Sequence, residues 1–309
     1  MNANPHYPRL YSTLRAALVA LLTGTVILAS GCAQNEPAAE PPPVVEASAS
    51  PGHSDKLAQI LGAQPEAAQA RYAFRNPQQT LEFFGIEPGM TVVEALPGGG
   101  WYSKVLLPYL GNQGSLVGVN YPMELWPNFS FVNDEFLENM KTWTTDWPTG
   151  AQEWRDDTSA PVSAFLFGSM PAEASGSADA VLFIRALHNL ARFDEAFLKQ
   201  AIADSYSVLK PGGIVGVVQH EARPNMTDEW ANGANGYLKR QFVIDAMTAG
   251  GFEYVAASSI NENAKDQPTD KDYVWRLPPS LNAPDEAKEA LRAVGESNRM
   301  TLKFRKPSA

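Results

Sequence analysis

At 309 residues, the chain has room for one large domain or two small ones. Its 44% hydrophobic, 19% charged and 10% aromatic content is ordinary for a globular protein and excludes a fully disordered or collagen-like chain. A net charge of -10 argues against a protein that tracks nucleic-acid phosphates. The single cysteine, Cys32, excludes an intramolecular disulfide, a Cys-rich zinc site and a CxxC redox pair.

In chain order, the first elements point to export. Arg9 and Arg15 form a short basic region, and residues 16–29 are an uncharged, mostly apolar run. That run suits a signal-peptide core and falls short of the ~20 residues a helix needs to cross a bilayer. It ends in Leu28-Ala29-Ser30-Gly31-Cys32. This resembles the bacterial lipobox, in which cleavage before the cysteine exposes a thiol for lipid attachment; the alternative is a plain secretory signal with a chance cysteine. The resemblance implies that residues 1–31 are a lipoprotein signal peptide and that Cys32 carries the lipid. Ala33, in place of aspartate, implies the periplasmic face of the outer membrane. Residues 32–54, rich in Ala, Pro, Glu and Ser, read as a tether, and residues 55–309 as the globular body.

Within the body, strands and helices alternate. Residues 78–84 predict a short helix and 91–96 (TVVEAL) a buried strand. Pro97-Gly98-Gly99-Gly100 breaks the chain before a helix over 101–110, and 115–120 (SLVGVN) reads as the next strand. Residues 180–185 predict a strand and 193–209 a helix. Lys210-Pro211-Gly212-Gly213 predicts a turn and 214–219 a strand. A helix over 237–249 and strands over 252–258 and 299–305 complete the pattern. Residues 121–163, rich in Trp, Asn, Asp and Pro, give no clear period. The alternation predicts an α/β fold, a mainly parallel doubly wound sheet with helices on both faces.

The glycine loop lies between a strand and a helix, where backbone N–H groups can approach a ligand. Asn120 follows Gly100 by 20 residues, at the end of the next strand, where Rossmann-like folds place a ribose-binding side chain. A tight strand-to-helix turn needing glycine for its own geometry is the plainer reading of the same residues.

The segments VVEALPGGG (92–100), LVGVN (116–120), ADAVLFIRALHNL (178–190) and VLKPGGIVGVV (208–218) together resemble the class I S-adenosylmethionine-dependent methyltransferases. NPQQTLEFFGIEPGMTVVEALPGGGWYSKVLLPYLG, VVQHEARP and LKFRKP look like a bacterial group of often exported members. The resemblance covers roughly residues 70–306. It implies a seven-stranded sheet with the last strand antiparallel and S-adenosylmethionine as cofactor. It further implies cofactor-binding roles for Glu94, Pro97, Gly98, Gly99, Gly100, Asn120, Ser169 and Met170. The sequence departs from the family pattern at Leu96, where the first loop glycine is usual, and at Asn120 and Ser169, where acids are usual.

His188 and His220 follow two predicted strands and fall at the same sheet edge. Histidine is the side chain best suited to take a proton near neutral pH, so both are candidate bases, with Glu221 beside His220 as a candidate orienting group. Core or capping histidines bonded to backbone are the competing reading. Arg185 suits an anionic group or a structural salt bridge. Tyr102 suits cofactor contact or helix packing, and Trp126, Trp143, Trp147 and Trp154 suit a pocket or the core. No HExxH, thiol cluster or GxSxG is present, so no metal is expected and a serine hydrolase is disfavoured. Two functions follow: a lipid-anchored enzyme methylating a small molecule, or a non-catalytic module of the same fold holding a nucleoside-like or other envelope ligand. A dehydrogenase ranks below both, because the loop lacks GxGxxG.

Overall fold

The computed structural model describes residues 51–308. The apolar run 16–29, Cys32 and the tether up to residue 50 lie outside the described residues. Seven strands form one sheet: β1 (Thr91–Ala95), β2 (Ser115–Asn120), β3 (Val162–Leu166), β4 (Ala178–Ile184), β5 (Leu209–His220), β6 (Glu253–Ser258) and β7 (Arg299–Arg305). Their order is β3-β2-β1-β4-β5-β7-β6, and β7 runs antiparallel to both neighbours. This is the doubly wound sheet with an antiparallel last strand that the sequence resemblance implies.

The central strands are apolar on both faces because both faces are covered. Val92, Leu116, Ala180 and Leu182 pack under helices Pro51–Gly62, Pro77–Phe84, Ser103–Leu110 and Trp143–Gly150. Val93, Ala95, Val119, Val181, Phe183, Val215 and Val217 pack under Leu187–Ala191, Glu195–Val208 and Arg240–Ala249. Among the described residues, no helix is long and apolar enough to cross a membrane.

Several elements differ from the sequence reading, among them helix Asp285–Val294, where no element was expected. Helix Pro51–Gly62 begins inside the span read as tether. Leu57 and Leu61 are buried, and Lys56 Nζ donates to Tyr109 O at 2.8 Å. Its apolar stripe is narrow, so tertiary contacts rather than propensity hold it. Lys210–Gly213 is a bulge within β5 rather than a turn before it: Ala178 pairs with Leu209 and Ala180 with Ile214, so extra residues loop out on one strand only. Residues 121–163 contain helices Asp134–Lys141 and Trp143–Gly150 and end at the start of edge strand β3, which is largely half-buried and so shows little apolar alternation.

Gly118 in β2 lies against Trp147; a Cβ there would stand 2.5 Å from the indole. Gly118→Val should lower the unfolding free energy by about 1–3 kcal/mol through overpacking. Urea unfolding at fixed pH checks this, and an unchanged midpoint would refute the close packing.

Candidate functional site

The chain winds outward from β1 to β2 and β3 on one side and through β4 and β5 on the other, so the order reverses between β1 and β4. Ligands in such sheets bind outside the carboxyl ends of the strands at that point. The structure places two strained residues there. Leu96, just after β1, has φ 55°, and Arg185, just after β4, has φ 59°. Each donates its backbone N–H to the neighbouring strand, Leu96 to Val119 O at 2.7 Å and Arg185 to Val218 O at 2.6 Å. Left-handed backbone costs a non-glycine residue about 1–2 kcal/mol, and such strain concentrates at functional sites. Leu96 therefore keeps a conformation that glycine adopts freely.

Beside these two residues lies a cavity of about 290 Å³ lined by Leu96, Arg185, His188, His220, Trp275 and Ser297, among others. Its cover comes from the connection between β6 and β7. A buried group anchors that cover: Tyr237 Oη donates to Asp266 Oδ2 at 2.8 Å, and Arg276 donates to Asp266 Oδ1 at 2.9 Å.

His188 and His220 meet here, their ring centroids 5.5 Å apart. Gln219 Nε2 donates to Gly236 O at 2.9 Å, which leaves Oε1 as an acceptor 3.3 Å from His188 Nδ1. That network assigns the His188 proton to Nδ1 and leaves Nε2 as a bare lone pair. Burial lowers the His188 pKa to about 4, with Arg192 and Arg185 acting in the same direction and the Gln219 hydrogen bond opposing them. His220 Nδ1 lies 2.5 Å from Ser297 Oγ, and burial with the nearby His188 pushes its pKa well below the usual value. Both rings are neutral at pH 7.

The glycine loop borders the cavity through Leu96. Gly98 and Gly99 are exposed, and a Cβ on Gly99 would meet nothing within 4 Å. Gly100 is closed off by Trp154. Glu94 is buried on the helix face, where Ser103 Oγ donates to its Oε2 at 2.6 Å; burial raises its pKa to about 7, partly offset by that hydrogen bond. Asn120 Oδ1 accepts the N–H of Tyr121 at 2.8 Å, which leaves the amide N–H₂ and one oxygen lone pair for a ligand. Ser169 is exposed and Met170 half-buried, both beyond the end of β3.

Other sequence expectations resolve differently. Glu221 does not orient His220: both its oxygens accept from Arg240, at 2.7 and 2.8 Å, and Ser297 takes the place expected for it. Bidentate pairing with guanidinium is the stronger interaction for a carboxylate. Tyr102, Trp126 and Trp147 are core residues, with Trp143 and Trp154 packed beside Trp147. The aromatic wall of the cavity is instead Trp275, which together with Glu296 and Ser297 carried no sequence motif; Gln219 lies within the VVQHEARP segment but had no expected role. Arg185 forms no structural salt bridge among the described residues: the nearby Glu296 pairs with Arg71, Arg75 and Arg299. The described residues contain no cluster of three or more His, Cys, Asp or Glu side chains placed to hold a metal ion.

No family model matches the sequence, and no curated protein matches it. Solved structures do resemble the fold. An S-adenosylmethionine-dependent methyltransferase from Aquifex aeolicus is 12% identical, with 82% of this chain and 98% of that one covered and a TM-score of 0.45. A geranyl diphosphate methyltransferase in complex with S-adenosylmethionine is 16% identical, covering 83% and 92%, TM-score 0.45. The [4+2]-cyclase SpnF is 17% identical, covering 76% and 82%, TM-score 0.46. At these values, the strand order of the chain itself defines its fold.

Proposed function

We propose that the protein transfers a methyl group from S-adenosylmethionine to a small molecule held in the Arg185–His188 cavity. One observation carries the reading: the β3-β2-β1-β4-β5-β7-β6 sheet sets a strained glycine loop and a polar cavity side by side at the switch point. The residues fit the cofactor in two respects. The Gly98 and Gly99 faces are open, and Leu96 holds the left-handed conformation of the missing glycine. Glu94, Pro97, Gly98, Gly99 and Asn120 would hold the cofactor, with Gly100 shaping the turn. When bound, it supplies an electrophilic methyl group on a sulfonium. The chain's own part is to exclude water, orient the acceptor along the cavity wall and receive a proton at His188 Nε2.

A second reading, a binding module without catalysis, is favoured by one contact. Asn120 Oδ1 already accepts the Tyr121 N–H, and a neutral amide offers a ribose hydroxyl a weaker acceptor than a carboxylate would. Turnover separates the readings: methyl transfer to any acceptor supports the enzyme, and cofactor binding without transfer across a broad acceptor panel supports the module.

The lipid anchor is part of the same proposal, supported by the position of Cys32 after the apolar run. Cys32→Ser should leave an unlipidated protein that departs from the membrane fraction. Undiminished lipid labelling of that variant would refute the anchor and its outer-membrane placement.

A further inference from the structure

Five charged side chains gather at the carboxyl edge of β1, β4 and β5, and their signs do not balance. Arg71, Arg75 and Arg299 all donate to Glu296, a carboxylate with only 3% exposed surface. Burial opposes ionisation of Glu296, yet Arg299, Arg75 and Arg71 together hold its pKa below the usual range. Its charge is therefore shared among three guanidinium groups before Arg185 is considered. Arg185 lines the cavity, its Nε is buried without a hydrogen-bond partner, and no carboxylate pairs with it among the described residues. A guanidinium presents a planar fork of donors that matches a carboxylate or phosphate. Leaving a buried donor such as Nε unmatched is costly.

The backbone gives a second, independent indication. Arg185 is held at φ 59°, a conformation an arginine rarely adopts, by the bond from its N–H to Val218 O. Strain of this kind persists where the surrounding structure imposes it. Here it fixes the stem of the side chain at the junction of β1 and β4, next to His188 and opposite the cover. Trp275 adds a flat apolar wall, its ring 5.9 Å from that of His188. A volume of about 290 Å³ lies at the small end of ligand sites.

We propose that Arg185 is the anion-binding residue of this cavity and that the methyl acceptor is a small acid, a carboxylate on a single flat ring or a molecule of similar size, with its protic group towards His188. Assigning the anion to the acceptor rests on the methyl-transfer reading; the anion site itself does not. Burial and the Arg299 guanidinium lower the Arg185 pKa, so a bound anion relieves an existing electrostatic cost. The same charge would raise the affinity of His188 for a proton. The shared chemistry has two sources, the acid of an acceptor and the methionine carboxylate of the cofactor, and the experiment separates them.

The full-length protein is titrated calorimetrically with benzoate, with uncharged benzamide, with S-adenosylhomocysteine and with 5′-methylthioadenosine, which lacks the amino-acid group. Wild type, Arg185→Lys and Arg185→Asn are compared at constant ionic strength. Asparagine removes the charge and tolerates left-handed backbone; circular dichroism and thermal unfolding verify that both variants fold. Wild type should prefer benzoate over benzamide by ten-fold or more. Arg185→Asn should lose that preference, Arg185→Lys should keep part of it, and both should retain S-adenosylhomocysteine affinity. Equal binding of benzoate and benzamide by wild type, or an undiminished preference in folded Arg185→Asn, would overturn the anion site. If Arg185→Asn loses S-adenosylhomocysteine affinity but keeps 5′-methylthioadenosine affinity, the anion is the cofactor's and the acceptor assignment falls. A benzoate preference without S-adenosylhomocysteine binding would defeat the methyl-transfer reading and leave the anion site standing.

Discussion

Single-turnover methyl transfer by His188→Gln is expected to run roughly 100-fold slower than wild type, the scale of acid–base assistance, with S-adenosylhomocysteine affinity unchanged. The expectation rests on placement and tautomer. His188 lines the cavity, Gln219 Oε1 holds the Nδ1 proton, and Nε2 is left to accept. Glutamine can keep a hydrogen bond but cannot take a proton at neutral pH. Because burial lowers the His188 pKa to about 4, the ring is competent across the neutral range and is lost as a base only below that pH. The wild-type kcat/KM profile should therefore show no His188 step between roughly pH 5 and 8 and an acid limb near 4. That limb should vanish in the variant. An unslowed variant would leave proximity and orientation as the chain's contribution.

Glu94→Gln is expected to stabilise the protein by about 3 kcal/mol at pH 8 and to leave it unchanged near pH 4. Burial raises the Glu94 pKa from 4.5 to about 7. A carboxyl group with a raised folded pKa favours folding fully below its unfolded value of 4.5. That contribution drains away as pH rises through 7. Glutamine keeps an acceptor for Ser103 Oγ, 2.6 Å away in wild type, without a charge to bury. His188 acts with the opposite sign. Its pKa is lowered from 6.5 to about 4, so its contribution is present above 6.5 and lost as pH falls through 4. The two oppose each other in the wild-type profile, so the informative quantity is the variant-minus-wild-type difference at each pH, measured by urea unfolding. A pH-independent difference would mean that Glu94 titrates normally. A gain in stability together with weaker S-adenosylhomocysteine binding would identify Glu94 as a carboxylate that serves the ligand at the expense of the fold.

The strands that carry the site were legible because their patterns are local. The observed bounds of β2 and β7 match the residues expected of them, and β1 ends one residue early, where Leu96 turns left-handed. His188, His220 and Arg185 were found because Arg185 directly follows β4, His188 lies in the short helix just after it, and His220 ends β5, so that all three fall at the carboxyl edge those strands share. The opposite wall was not legible. Trp275, Glu296 and Ser297 come from the long β6–β7 connection but lie outside its amphipathic helix Asp285–Val294, so no period shows what they cover. The Glu221 expectation failed for a related reason. Adjacency to His220 in a strand sends the two side chains to opposite faces, and Arg240 waits on the other one. Tryptophans in the middle segment carried no information about side: only packing on Gly118 and Gly100 assigns Trp147 and Trp154 to the helix layer.

The most direct test of the account is titration of the protein with S-adenosylhomocysteine, beside Gly99→Val. Gly99 is exposed, its φ lies outside the left-handed region, and a Cβ there meets nothing within 4 Å, so the substitution spares the free protein. The account predicts one saturable site in wild type and an affinity at least ten-fold weaker in the variant, about 1.4 kcal/mol, at unchanged thermal stability. No binding by wild type, or wild-type affinity in a folded Gly99→Val, would contradict it and reduce the loop to a turn.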